Sequence, residues 1–144
     1  MRALVIANIG DDDSGYVGER LVERGYELVI AYRDEAGALP DNLDGYDLVL
    51  LLGSDWSTYW EHKADLVERE SGLVREAAVR DLAVLGICYG GQLLSHALGG
   101  RVELADRTEI GWFDLTTSDS HLAPVGPWFE FHIDRFTPPP GAEV

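Results

Sequence analysis

One stretch of this chain admits very few backbones: Gly86-Ile87-Cys88-Tyr89-Gly90-Gly91-Gln92. The apolar run before it, Leu82-Ala83-Val84-Leu85, predicts a buried strand, and Leu93, Leu94, Ala97 and Leu98 after it recur at the spacing of one helix face. A strand must therefore become a helix within a few residues, around the only cysteine in the sequence. Glycines on both sides let the backbone take a strained strand-to-helix turn that lifts the side chain into solvent, the arrangement of a nucleophile elbow. A helix N-terminus favours negative charge, and the thiolate is the reactive form of cysteine. A lone cysteine is ordinarily a buried, inert residue; here the flanking glycines and Gln92 favour an exposed nucleophile.

The rest of the chain reads as a frame for that turn. Apolar runs at residues 3–7, 28–32 and 48–52 predict strands, the first and third of the continuous kind found in sheets covered on both faces. Val17, Leu21 and Val22 predict a short amphipathic helix stopped by Gly25. Ala64, Val67, Leu73, Val74, Ala77 and Ala78 predict a helix from about residue 60 to about residue 80, weakened at Gly72. The elbow helix closes at Gly99-Gly100. Gly10 and Gly15 have the spacing of a phosphate-binding loop, but Tyr16-Val17 stand where Lys and Ser or Thr belong. Asp11, Asp12 and Asp13 would also repel phosphate, so we read residues 8–15 as a plain loop.

Strands alternating with helices predict an α/β fold, a doubly wound and mainly parallel sheet with helices on both faces, of flavodoxin-like type. Ligands in such sheets bind beyond the carboxyl ends of the strands, which directs Gly53-Ser54 and Cys88 to one site. Past Gly100 the rhythm changes. Residues 101–104, 110–116 and 128–133 read as short strands, mainly antiparallel, and residues 118–127 as a loop. Pro138-Pro139-Pro140-Gly141 fits neither a helix nor a central strand.

Composition removes several function classes. Eleven Lys and Arg against 26 Asp and Glu give a net charge of -15, which argues against nucleic acid and anionic membranes as partners. One cysteine excludes an internal disulfide, and no CxxC pairs suggest a metal. No run approaches the roughly 20 apolar residues of a membrane span. Met1-Arg2-Ala3-Leu4-Val5-Ile6-Ala7 reads as a strand and not a signal peptide, so a cytoplasmic protein is expected. With 144 residues, no repeats and no linker, residues 1–144 read as a single domain.

Gly86-Ile87-Cys88-Tyr89-Gly90-Gly91-Gln92 resembles the Gly-x-Cys-x-Gly-x-Gln nucleophile motif of class I, triad-type glutamine amidotransferases. Four further stretches fit in the same order. Gly53-Ser54-Asp55-Trp56 sits where that family has its Gly-Gly-Pro loop, and Ala97-Leu98-Gly99-Gly100 is similar to the close of its elbow helix. Glu109-Ile110-Gly111-Trp112 and Phe131-His132-Ile133-Asp134-Arg135-Phe136, followed by Pro139-Pro140-Gly141-Ala142, resemble the stand-alone, GMP-synthase-like branch. The resemblance implies hydrolysis of glutamine to glutamate and ammonia with no cofactor, coupled to a synthetase or other acceptor-activating partner. It casts Cys88 as the nucleophile and the backbone N–H groups of Gly53-Ser54 and Tyr89 as the oxyanion hole. Gln92, His132, Ile133 and Asp134 match positions that contact bound glutamine. The oligomeric state stays open.

Two departures qualify that expectation. The family's catalytic histidine lies in a His-x-Glu motif downstream of Pro-Pro-Gly-Ala, and none of His62, His96, His121 and His132 is followed two residues later by glutamate. The triad is incomplete within these residues, which predicts weak or absent turnover. Ser54 and Asp55 replace the second glycine and the proline of the Gly-Gly-Pro loop. Serine would be strained if that position requires positive φ. His132 reads as a pocket residue and not as a substitute base, and Glu109 as either an orienting or a solvated carboxylate. Two rivals stand beside this reading: a cysteine hydrolase of dienelactone-hydrolase type, and a non-catalytic regulatory module on the amidotransferase fold.

Overall fold

The computed structural model describes residues 1–121 and 123–143; Leu122, inside the loop read at 118–127, and Val144 lie outside the described residues. Strand β1 (Arg2–Ala7) is buried from Ala3 through Ala7, as its unbroken apolar run requires. It lies within a four-stranded parallel sheet of order β2-β1-β3-β4, with β2 at Glu27–Tyr32, β3 at Leu48–Leu51 and β4 at Ala83–Gly86. Leu4 is paired with Val29 on one side and Val49 on the other.

Alternation along β1 divides its residues between two cores. Ala3, Val5 and Ala7 join Leu50, Leu52 and Leu21 of helix α1 (Gly15–Glu23). Leu4 and Ile6 join Val49, Leu51, Val67, Leu73, Val74 and Ala77 of α2 (Ala64–Val79) and Tyr89, Leu93 and Ala97 of α3 (Tyr89–Ala97). This is the doubly wound sheet with helices on both faces. Gly25, at φ 83°, ends α1 as the periodicity predicts: its N–H donates to Val22 O at 2.9 Å and that of Tyr26 to Leu21 O at 3.0 Å.

The structure corrects some local expectations. Val22 is 56% exposed, because Gly18 and Leu21 form the buried stripe of α1. The predicted helix from residue 60 begins with a short 3-10 turn at Glu61–Lys63 and becomes α-helical at Ala64. Ala64 and Ala78 face outward, while Glu70 and Ser71 lie on the buried side. The elbow strand β4 is not buried. Among the described residues its one sheet neighbour is β3, so Ala83 and Leu85 are exposed.

The segments read as separate strands at 101–104 and 110–116 are one long strand, β5 (Arg101–Asp114), antiparallel to β6 (Pro127–Thr137). The ladder breaks between Leu104 and Glu109, where a bulge shifts the register. The hairpin is tied to α3 at its base. Ser95 Oγ donates to Thr137 O at 2.5 Å, and Gly100 approaches so closely that a Cβ would lie 2.5 Å from that same oxygen. Its far end is solvent-exposed at Ile110, Trp112, Phe129 and Phe131.

Candidate active site

Cys88 is exposed, at φ 53° and ψ -113°, between the end of β4 and the first turn of α3. A positive φ on a residue with a Cβ costs about 1–3 kcal/mol and persists only where the surroundings impose it. Here they do. A Cβ on Gly86 would lie 2.5 Å from Gly90 C and O, and one on Gly90 would lie 2.2 Å from Leu51 O. Both positions must lack a side chain for α3 to start against β3. Ile87 N–H donates to Leu51 O at 2.9 Å and Gly90 N–H to Ile87 O at 2.9 Å, which fixes the turn from both sides.

The end of β3 arrives at the same place. A Cβ added to Gly53 would stand 3.6 Å from Cys88 Cβ. Ser54 is not among the described residues with positive φ, so serine sits there without the strain that glycine would relieve. Its Oγ accepts the Trp56 N–H at 3.2 Å. A cavity of about 520 Å³ is lined by Gly53, Ser54, Cys88, Gln92, His132, Ile133 and Asp134. The structure thus gathers the site residues read from sequence around one space, Tyr89 excepted. The Tyr89 ring is buried beneath the elbow, and its backbone opens α3. A second cavity of about 620 Å³ reaches Cys88 from the side of Gly91, Arg135 and Phe136.

Each wall of the first cavity has its own support. Asp134, 4% exposed, accepts Ser57 Oγ at 2.5 Å and Tyr59 OH at 2.8 Å, which ties β6 to the loop after β3. Gln92 is buried on α3, and its Oε1 has no hydrogen-bond partner among the described residues. His132 Nε2 lies 2.8 Å from Glu109 Oε2 and its Nδ1 lies 3.5 Å from Glu130 Oε2. Both ring nitrogens therefore face carboxylates of the hairpin itself. Asp11 and Asp55 also line the cavity, which gives it an acidic rim. Among the described residues no group of three or more His, Cys, Asp or Glu is placed to hold a metal.

Beneath the loop lies a charged cluster that the sequence reading missed. Arg33 is 1% exposed. Its Nη1 donates to Asn8 Oδ1 at 2.8 Å and Gly53 O at 3.1 Å, and its Nη2 to Ile6 O and Leu52 O at 3.0 Å each. Glu70 Oε1 stands 3.3 Å from Nη2, and the guanidinium lies 4.8 Å from the Tyr89 ring centroid. Burial pushes the Glu70 carboxyl up to about 7, against the opposing pull of Arg33. Burial, with Glu70 nearby, likewise raises the Tyr89 phenol. A signal for this cluster was present in the sequence. Glu70 falls on the Val67, Val74 and Ala77 face of α2, and an acidic side chain on an apolar face calls for a buried polar partner or for neutralisation.

The other histidines lie elsewhere. His62 is exposed and stacks on Trp60 at 5.3 Å, and His96 and His121 are likewise exposed. The tryptophans divide between packing and exposure. Trp56 is buried under Lys63, whose Nζ is 3.8 Å from the ring centroid, and Trp112 is 71% exposed on the hairpin.

A strained cysteine at the carboxyl end of a parallel strand, beside the loop of the next strand, defines an α/β protein built around a nucleophile elbow. The family described as glutamine amidotransferase class-I matches residues 7–125, and the chain belongs to that family. It is 27% identical over 130 residues to the glutamine amidotransferase-like protein YfeJ of Salmonella typhimurium, which covers 85% of this chain and 52% of the relative. It is 34% identical over 117 residues to a GMP synthase [glutamine-hydrolyzing] of Porphyromonas gingivalis, 81% of this chain and 21% of that one. A crystal structure of a glutamine amidotransferase from Thermotoga maritima superimposes with a TM-score of 0.82 at 27% identity, covering 97% of this chain and 64% of that one. The chain thus spans about half the length of the Salmonella relative. Among the described residues, no helix is long and apolar enough to cross a membrane.

Proposed function

We propose that the cavity between Gly53 and Asp134 receives glutamine and that Cys88 is its nucleophile. The thiolate sulfur attacks the side-chain carbonyl carbon and forms a tetrahedral oxyanion. The backbone N–H groups of Gly53-Ser54 and Tyr89 stabilise that oxyanion. The carbon–nitrogen bond breaks, nitrogen takes a proton and leaves as ammonia, and a γ-glutamyl thioester remains. Water then cleaves the thioester to glutamate and restores the thiol. Gln92, with an unpaired Oε1, and His132, Ile133 and Asp134 line the space for the rest of the substrate. The acidic rim suits a cationic α-amino group. The observation that carries this reading is the convergence of Gly53 on Cys88, 3.6 Å from Cβ to Cβ if Gly53 had one.

The same reading makes these 144 residues a single domain with slow turnover. No histidine here is followed two residues later by glutamate, and His132 already faces Glu109 and Glu130. Loss of a triad member costs several orders of magnitude. A cytoplasmic place and a partner that activates the ammonia acceptor belong to the proposal. The test is a glutaminase assay of these residues beside Cys88→Ala. Trace or no ammonia release from both is expected, and robust turnover abolished by Cys88→Ala would overturn the low-turnover part.

The acidic Asp55 at the cavity favours a second reading, a regulatory module that keeps the fold without the chemistry. Glutamine-independent partner association with an unreactive Cys88 would support it. The family match favours the amidotransferase reading over a hydrolase of dienelactone-hydrolase type.

A further inference from the structure

We infer that Arg33 is a positioning residue for the oxyanion loop, setting the direction and strength of the Ser54 N–H from beneath the site. A single peptide joins Gly53 to Ser54. It is planar and trans, so its carbonyl and its N–H point in opposite directions. Arg33 Nη1 holds the carbonyl at 3.1 Å from inside the protein. The N–H is thereby turned away from the guanidinium, on a peptide that lines the cavity of Cys88. A cation bonded to the carbonyl also polarises the amide and strengthens the N–H as a donor.

Arg33 does not act on that peptide alone. Its other contacts go to Ile6 O and Leu52 O, at the ends of β1 and β3, and to Asn8 Oδ1 in the loop after β1. The ring beneath it belongs to Tyr89, whose backbone is assigned the second oxyanion donor, so one side chain contacts the residues of both. Glu70, fully buried, sets its carboxyl 3.3 Å from Nη2. A structural reason alone accounts poorly for this arrangement. A buried ion pair is weak evidence for stability, and apolar residues of similar volume would fill the same space. What apolar residues cannot do is hold three carbonyl groups in fixed directions.

The inference rests on the glutamine reading of the site, and the test separates the two. The probe is the chloroketone analogue of glutamine, in which Cys88 sulfur bonds to the chloromethyl carbon and chloride leaves. Its ketone passes through an oxyanion that the loop would stabilise. Iodoacetamide alkylates the same sulfur by direct displacement of iodide and needs no oxyanion hole. In wild type, glutamine should slow labelling by the chloroketone; absence of that protection removes the glutamine reading itself. With protection established, Arg33→Lys should slow chloroketone labelling by about tenfold or more, within the cost of losing an oxyanion donor, and leave the iodoacetamide rate unchanged. A folded Arg33→Lys that reacts with both probes like wild type overturns the inference, as does an equal loss with both. Should Arg33→Lys not fold, Asn8→Ala, which removes one of the acceptors that orient Nη1, carries the same comparison. A selective chloroketone loss supports the inference, and wild-type rates with both probes contradict it.

Discussion

Ser57 Oγ lies 2.5 Å from Asp134 Oδ2, across 77 residues of sequence. This contact, with Tyr59 OH on the other carboxylate oxygen at 2.8 Å, fastens the β5–β6 hairpin to the loop that leaves β3. Without it the hairpin would be held mainly at its base, through Ser95 and Thr137. The cavity at Cys88 has one wall on each side of that fastening.

Asp134→Ala should therefore open the site as well as weaken the fold. Two hydrogen bonds to a buried carboxylate are lost, each worth about 1.5–3 kcal/mol, so denaturant unfolding should report a loss of about 3 kcal/mol or more. Hydrogen exchange should rise in β6 more than in β1. A loss under about 1 kcal/mol, the scale of one neutral hydrogen bond, would mean that the contact carries little.

Two glycine-to-alanine changes should act with opposite sign. In Gly90→Ala the new methyl meets Leu51 O at 2.2 Å, a backbone atom that cannot swing aside, and the expected loss is about 3 kcal/mol or more. In Gly72→Ala the new methyl meets nothing within 4 Å in the interior of α2. That variant should gain about 0.5–1 kcal/mol from helix propensity. Paired thermal unfolding checks both, and equal effects would contradict the packing described at the elbow.

Stability should depend on pH through Glu70. Burial raises its carboxyl from 4.5 to about 7 in the folded protein, so between these values the folded state holds a proton that the unfolded state releases. The contribution is complete below the unfolded value and is lost as pH rises through the folded one. Wild type should lose stability relative to Glu70→Gln between pH 4.5 and about 7, with a constant difference above that. A difference independent of pH across that window would show the carboxylate ionised throughout.

Elements whose pattern is local were legible in the residues. The unbroken apolar runs of β1 and β3, the Gly25 stop of α1 and the Gly86-Cys88-Gly90 turn all encode their geometry within a few positions. The exposed face of β4 was not legible, because Leu82–Leu85 has the composition of a buried strand and its exposure depends on which strands flank it. The single long β5 was hidden by Ala105-Asp106-Arg107-Thr108, which interrupt the apolar pattern at the bulge. In the site, residue types and order placed Cys88, Gly53 and Gln92 together. The partners of Asp134 and the Arg33–Glu70 pair come from distant segments, joined by buried polar contacts that leave only a weak trace in sequence.

The glutamine-directed nucleophilicity proposed for Cys88 is tested most directly by site-resolved mass spectrometry of chloroketone labelling. The expected result is modification at Cys88 by the glutamine chloroketone, slowed by free glutamine and not by asparagine. Labelling at Cys88 that is indifferent to glutamine, or no faster than by a chloroketone lacking the amino-acid portion, would contradict it.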